Sequence, residues 1–182
     1  MTWISEFDIS VLRWIHHNRL EPLDDTLYFI SFSTTFISIA LLITLLFISI
    51  KNKSNELRSK FFQILIVLVF ASVLSFTLKH SIIRERPFKI YSDITKLSEA
   101  GNSSFPSGHT AEAFALAMAI TLLFPHKKFA VPIFLWAILV AYSRMALGVH
   151  YPFDILGGIL LGTTISFVTI FSYNELKKWK SR

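Results

Sequence analysis

Six titratable side chains fall into three clusters along this chain: Lys79 with Arg86-Pro87, Pro106-Ser107-Gly108-His109, and Ser143-Arg144 followed by His150 and Asp154. Three cations can hold the oxygens of an oxyanion. Two imidazoles can pass protons or attack as nucleophiles, and a carboxylate four residues from His150 can fix its tautomer. Each cluster sits at the end of an apolar stretch. Ionisable groups at a membrane border are expensive to place and mark function more often than packing.

Taken singly, each cluster has a plainer explanation. Lys79 alone reads as a snorkelling anchor. Pro106-Ser107-Gly108 alone reads as an ordinary turn, and a His–Asp pair can simply hold two helices together. Local rules add detail. Lys79 and Arg86 are seven apart, so they share one stripe if a helix runs on to Pro87, and Arg84 then points elsewhere. Ser107 is a natural N-cap, and Gly108 lets a ligand approach the backbone. The free N–H groups of the helix that follows make an anion site. Pro152 disfavours helix at Tyr151, which leaves His150 in a loop and Asp154 in the first turn of the next helix.

The elements that must position these residues are apolar. The chain has 182 residues, 53% of them hydrophobic, with a mean hydropathy of +0.54. Residues 26–50 carry no charge and are long enough to cross a hydrocarbon core of roughly 30 Å at about 1.5 Å per residue. Four further apolar stretches follow, at about 61–79, 107–124, 129–147 and 154–173, the middle two interrupted by Glu112 and Arg144. The pattern predicts an all-α polytopic membrane helix bundle of about five transmembrane helices, forming one domain over residues 1–182. Residues 3–18 read as an amphipathic interfacial helix with Ile4, Phe7, Val11, Leu12 and Ile15 on one face; a helix packed on the bundle fits the same pattern. His16 and His17 at its end read as solvated or interfacial. The first 20 residues hold Glu6, Asp8 and Arg13 and lack the apolar core of a cleavable signal.

The net charge of +6 is distributed in a way that argues against nucleic acid. Lys51–Lys60 holds four Lys/Arg, His126–Lys128 two and Asn174–Arg182 four, and five spans put all three segments on one side. The positive-inside rule makes that side cytoplasmic, the C-terminus included, and puts the three clusters together on the extracytoplasmic face. There is no cysteine, which removes disulfide and thiolate chemistry. Among the remaining motifs, Gly157, Gly158 and Gly162 read as close helix packing within the bundle. Glu112 reads as paired with a neighbouring cation. The loop 88–105, with Lys89, Asp93, Lys96 and Glu99, could cover the site, although each charge singly reads as solvated.

In order and spacing the three clusters resemble the motifs of the type 2 phosphatidic acid phosphatase (PAP2) superfamily. The match runs Lys79–Arg86-Pro87, Pro106-Ser107-Gly108-His109 and Ser143-Arg144–His150–Asp154, a motif core over residues 79–154 with no motif position departing. Many members have six spans, so six is an alternative to five here. The resemblance implies a phosphohydrolase that needs no metal or other cofactor. It implies His150 as nucleophile through a phosphohistidine, Asp154 as its orienter, and His109 as acid and then base. Lys79, Arg86, Ser107, Gly108 and Arg144 would hold the phosphoryl group. It further implies a membrane lipid phosphate as substrate and the bacterial inner (cytoplasmic) membrane as location. Small bacterial members point to undecaprenyl diphosphate, ahead of phosphatidylglycerophosphate, phosphatidic acid and lipid A phosphates. A transporter or non-catalytic lipid-binding protein would need the cations but not the His–Asp pair. A vanadate-dependent haloperoxidase shares such a pocket but not the spans.

The orientation is testable because the background has no thiol. A single cysteine at Ser54 or Ser181 should resist an impermeant thiol reagent in intact cells, and one at Ser92 should react. Labelling at Ser54 and not at Ser92 would invert the arrangement.

Overall fold

The computed structural model describes residues 3–180. Ser181 and Arg182, part of the basic tail read above, lie outside the described residues. The order is α1 (Trp3–His17), a 3-10 turn (Glu21–Leu23), α2 (Asp24–Phe32), α3 (Thr34–Lys51), α4 (Asn55–Ser81), a short α5 (Pro87–Ile90), α6 (Gly108–Leu123), α7 (Lys127–Ala146) and α8 (Pro152–Lys180). Four helices, α3, α4, α7 and α8, are long and apolar enough to cross a membrane, and α6 is a shorter apolar helix of 16 residues. The all-α bundle expected from the apolar periodicity is therefore present. Its outer faces carry exposed Phe36, Phe47, Phe70, Phe76, Leu160 and Phe167, an apolar belt that a protein in water would bury.

The first apolar stretch is not one helix. It divides at Ser33 into α2, which packs on α7, and α3, which packs on α4. The sequence Ser31-Phe32-Ser33-Thr34 explains the break. Ser33 Oγ donates to Ile30 O at 3.0 Å and Thr34 Oγ1 to Ser31 O at 2.7 Å, side-chain bonds that compete with the helical ladder.

At the centre, α6 packs on α4, α7 and α8. Its contact with α8 runs through small residues. A Cβ on Gly158 would meet Ser107 O at 2.7 Å, and one on Gly162 would meet Ala111 O at 2.3 Å. Ser166 Oγ donates across the same seam to Ala115 O at 2.7 Å. The glycines thus serve packing within the bundle, as their spacing suggested. Around the seam, Ile64, Val67, Leu68, Leu116 and Leu161 form the apolar core.

Helix α1 docks on α7 and α8 at the end of the bundle where α4 finishes and α6 begins. Its buried face is Asp8, Ile9, Leu12 and His16, which shares only Leu12 with the apolar stripe read from the sequence. Ile4 and Phe7 point outward with Trp3 and Trp14, where aromatic side chains suit a membrane interface. His16 is correspondingly not solvated. Its Nδ1 donates to Ala146 O at 2.8 Å and its Nε2 accepts from the Thr95 amide at 3.1 Å. Burial lowers its pKa below that of free histidine.

Gly162→Val should force α6 and α8 apart and cost about 1–3 kcal/mol, read as a lower Tm in detergent. Gly101→Ala, where an added Cβ meets nothing within 4 Å, should leave Tm unchanged.

Candidate active site

Helix α4 ends at Ser81, and residues 82–86 run extended. Pro87 enforces this: Arg86 sits at φ −78°, ψ 150°, the region imposed on a residue before proline. The condition for Lys79 and Arg86 to share a helical stripe, a helix running on to Pro87, is not met, and Arg84 does not point away. Its Nη1 donates to Asp154 Oδ1 at 2.6 Å and its Nη2 to Asp8 Oδ2 at 2.5 Å. Its guanidinium also lies 4.0 Å from the centroid of the Tyr151 ring.

Arg86, 3% exposed, is tied to backbone carbonyls: Nε to Gly101 O at 2.7 Å, Nη1 to Val149 O at 2.7 Å and Nη2 to Ser103 O at 2.9 Å. Its Nη1 lies 3.2 Å from His150 Nε2. Lys79 Nζ donates to Ser103 O at 3.3 Å. Arg144 donates from Nη1 to Ser31 Oγ at 2.5 Å and to Ser98 Oγ at 2.9 Å, and from Nη2 to Glu99 O at 3.1 Å. Its Nε is buried without a partner among the described residues, so an oxyanion reaching it would gain a donor.

These cations wall one cavity of about 360 Å³, with His109, His150, Gly108 and the loop Glu99–Ser103 also lining it. The loop 88–105 is pinned to α1 by Arg13–Asp93 at 2.7 Å and by the Thr95–His16 bond. Its last part supplies the wall and the carbonyls that hold the cations. Ser107 stands at the N-cap position of α6 but does not cap. It is fully buried, its Oγ pairs with Thr110 Oγ1 at 2.9 Å, and it does not line this cavity. Ser75, one turn before Lys79 on α4, lines the cavity with a buried hydroxyl that has no partner among the described residues. Glu112 also lines it. Its Oε2 accepts from Thr35 Oγ1 at 2.9 Å rather than from a cation.

His150 lies in the turn 147–151. Gly148, at φ +72°, makes that turn possible, and a Cβ there would meet Thr95 O at 2.3 Å. Pro152 opens α8, and Asp154 occupies its first turn, as read from the sequence. Asp154 is 0% exposed. Its Oδ2 accepts from the Tyr151 amide at 2.9 Å and from Ser104 Oγ, and lies 3.5 Å from His150 Nδ1. Nδ1 has no closer partner, while Nε2 faces Arg86. Burial, with Arg144 and Arg86 nearby, pushes the His150 pKa down to about 3. The ring is therefore neutral through the physiological range. A neutral imidazole backed by a carboxylate, with its other nitrogen turned towards cations, has the chemistry that a nucleophile or a base requires.

The structure thus brings Lys79, Arg86, Gly108, His109, Arg144 and His150 to one cavity, backed by Asp154. Sequence reasoning missed Ser75, Ser104, Asp8 and the role of Arg84. A second arginine two residues before Arg86 was the only available signal, because the others are common residue types with no distinctive spacing.

The family model described as PAP2 superfamily matches residues 60–178. The undecaprenyl-diphosphatase BcrC of Bacillus subtilis (strain 168) is 29% identical over 162 residues, 88% of this chain and 79% of that protein. An undecaprenyl-diphosphatase of Sulfolobus acidocaldarius is 28% identical over 166 residues, 90% of this chain and 77% of that one. Among solved structures, Aquifex aeolicus LpxE superposes with a TM-score of 0.79 at 27% identity, covering 90% of this chain and 94% of that one.

Arg144→Lys keeps the charge but cannot satisfy Ser31, Ser98 and the Glu99 carbonyl while presenting a planar fork. A loss of roughly 2–4 kcal/mol of transition-state stabilisation, about 30- to 1000-fold in kcat/KM, is the expected scale. Steady-state kinetics of phosphate release measures it, and unchanged kinetics would remove Arg144 from the site.

Proposed function

We propose, for a chain that belongs to the PAP2 superfamily, that this phosphatase removes the terminal phosphate of undecaprenyl diphosphate through a phosphohistidine on His150. The observation that carries this reading is the pairing of His150 Nε2 with Arg86 at 3.2 Å and of His150 Nδ1 with Asp154 at 3.5 Å, beside a cavity that His109, Lys79 and Arg144 also line.

In the first step the Nε2 lone pair forms an N–P bond as the bond from phosphorus to the leaving oxygen breaks. His109, which takes up a proton when the anionic phosphate binds among the cations beside it, gives that proton to the leaving oxygen, releasing the lipid monophosphate. In the second step His109 takes a proton from water. The water oxygen bonds to phosphorus, the N–P bond breaks, and inorganic phosphate leaves. Asp154 holds the His150 tautomer and offsets the charge it gains. Lys79, Arg86 and Arg144 stabilise charge on the phosphoryl oxygens, and the Gly108 amide at the start of α6 adds a further donor. The Ser107 hydroxyl, turned to Thr110, fits a role in shaping the start of α6 better than direct contact with phosphate. Among the described residues no group of three or more His, Cys, Asp or Glu side chains is placed to hold a metal ion. The two relatives named as undecaprenyl-diphosphatases support the substrate. The basic segments Lys51–Lys60 and His126–Lys128 lie at the opposite end of the bundle from the site, which supports an extracytoplasmic site in an inner membrane.

The test is phosphate release by the purified protein with EDTA present. The substrates are undecaprenyl diphosphate, phosphatidylglycerophosphate, phosphatidic acid and lipid A. Undecaprenyl diphosphate should turn over fastest. His150→Ala should lose activity on the order of 10⁴-fold, and acid-labile label should appear on histidine in the native protein. Activity abolished by EDTA and restored by Mg²⁺ would overturn the mechanism, and a faster rate on another lipid would reassign the substrate.

A further inference from the structure

Helix α1 reaches the chemistry through one arginine. Asp154 is fully buried and Asp8 is 1% exposed. Two carboxylates in such surroundings need a shared counter-charge, and Arg84 supplies it, with one nitrogen on each. The ring of Tyr151 under the guanidinium fixes its plane. Asp8 has a second bond: its Oδ1 accepts from the Phe153 amide at 2.9 Å. Asp154 reaches back to the Tyr151 amide. The first turn of α8 is thus capped by two carboxylates, one from its own chain segment and one from α1.

This division determines which oxygen of Asp154 faces the histidine. Arg84 takes Oδ1, leaving Oδ2 for His150, Ser104 and Tyr151. An arginine with only one carboxylate in reach closes on it with both nitrogens, because the bidentate fork is the stronger geometry. Asp8 occupies the second nitrogen and so prevents Arg84 from drawing Asp154 away from His150. We propose that Asp8 and Arg84 are positioning residues of the reaction, an Asp8–Arg84–Asp154 bridge through which docked α1 holds the carboxylate in register with the His150 ring. The inference rests on the roles proposed above for His150 and Asp154.

The plainer alternative is that Asp8 only docks α1 and caps α8. Asp8→Asn separates the two, because an amide oxygen still accepts from the Phe153 N–H while the charge that engages Arg84 is gone. The full-length protein in detergent is compared with Asp8→Asn, Arg84→Lys, Asp154→Asn and Asp93→Asn. The last breaks the Arg13–Asp93 contact of α1 without touching the bridge. Measured on undecaprenyl diphosphate are kcat, KM, the rate of label transfer to histidine, and Tm. Asp8→Asn and Arg84→Lys should each lower kcat and the label-transfer rate about 10- to 100-fold, the scale of a small misplacement of a reacting group. KM should stay within about twofold, and Asp93→Asn should match the native enzyme. Arg84→Lys should fail to rescue, because an ammonium keeps the charge but not the two-sided fork. It also tests the bridge independently should Asp8→Asn fold poorly. A native kcat in both bridge variants would overturn the proposal. So would an equal loss in Asp93→Asn, which would mean that docking of α1 alone matters. Native turnover by Asp154→Asn would instead remove the reading of the site on which the inference stands.

Discussion

The buried charge of Asp154 is the constraint from which the rest of this site follows. A carboxylate with no exposure must find donors for both oxygens or be neutralised. The fold meets that demand from four directions: the amide of Tyr151, the hydroxyl of Ser104, the guanidinium of Arg84 and the imidazole of His150. They come from three segments of chain: the adjacent pair His150-Tyr151, Ser104, and Arg84. The backbone of Asp154 adds a further tie, since its carbonyl accepts from the Ser107 amide at 3.0 Å. The start of α8 and the start of α6 are thereby clamped together at the residue that backs the histidine.

A second constraint comes from the cations. Lys79, Arg86 and Arg144 repel one another around one cavity, and no carboxylate forms an ion pair with any of them among the described residues. Backbone carbonyls do the work instead: Gly101, Ser103, Glu99 and Val149. A carbonyl dipole offsets part of a positive charge without cancelling it. The cavity therefore keeps a net attraction for an oxyanion that ion pairing would have removed. The segment Glu99-Ala100-Gly101-Asn102-Ser103 supplies three of these carbonyls, at Glu99, Gly101 and Ser103.

Much of this was legible in the sequence, and what was not has a physical reason. Hydropathy located the apolar helices because lipid imposes length and composition on them. Pro152 alone placed His150 in a loop and Asp154 in a first turn. The division of the first span at Ser33 depends on side-chain bonds by Ser33 and Thr34 that an apolarity scan does not weigh. The docking face of α1 was not legible because Asp8 and His16, polar by type, are buried through bonds to distant partners: Arg84, Phe153, Ala146 and Thr95. Arg84 was misplaced because the direction of its side chain depends on where α4 stops. A helical stripe and an extended segment send it to opposite places.

The packing of α6 on α8 explains how a site assembled from loops can remain precise. Loops are the least constrained parts of a fold, yet His109 and Asp154 belong to helix starts, not loops. Those starts are locked by the closest approach in the bundle, where Gly158 lies against Ser107 and Thr110, and Gly162 against Ala111 and Ala115. No side chain at these two positions can act as a spacer that repacks, so α6 and α8 have essentially one register. His109 and Asp154 inherit that register directly. His150, the only one of the three on a turn, is then fixed from both sides of its ring, by Arg86 at Nε2 and Asp154 at Nδ1. The rigid seam sets the geometry of two partners, and the charged contacts bring the third to it.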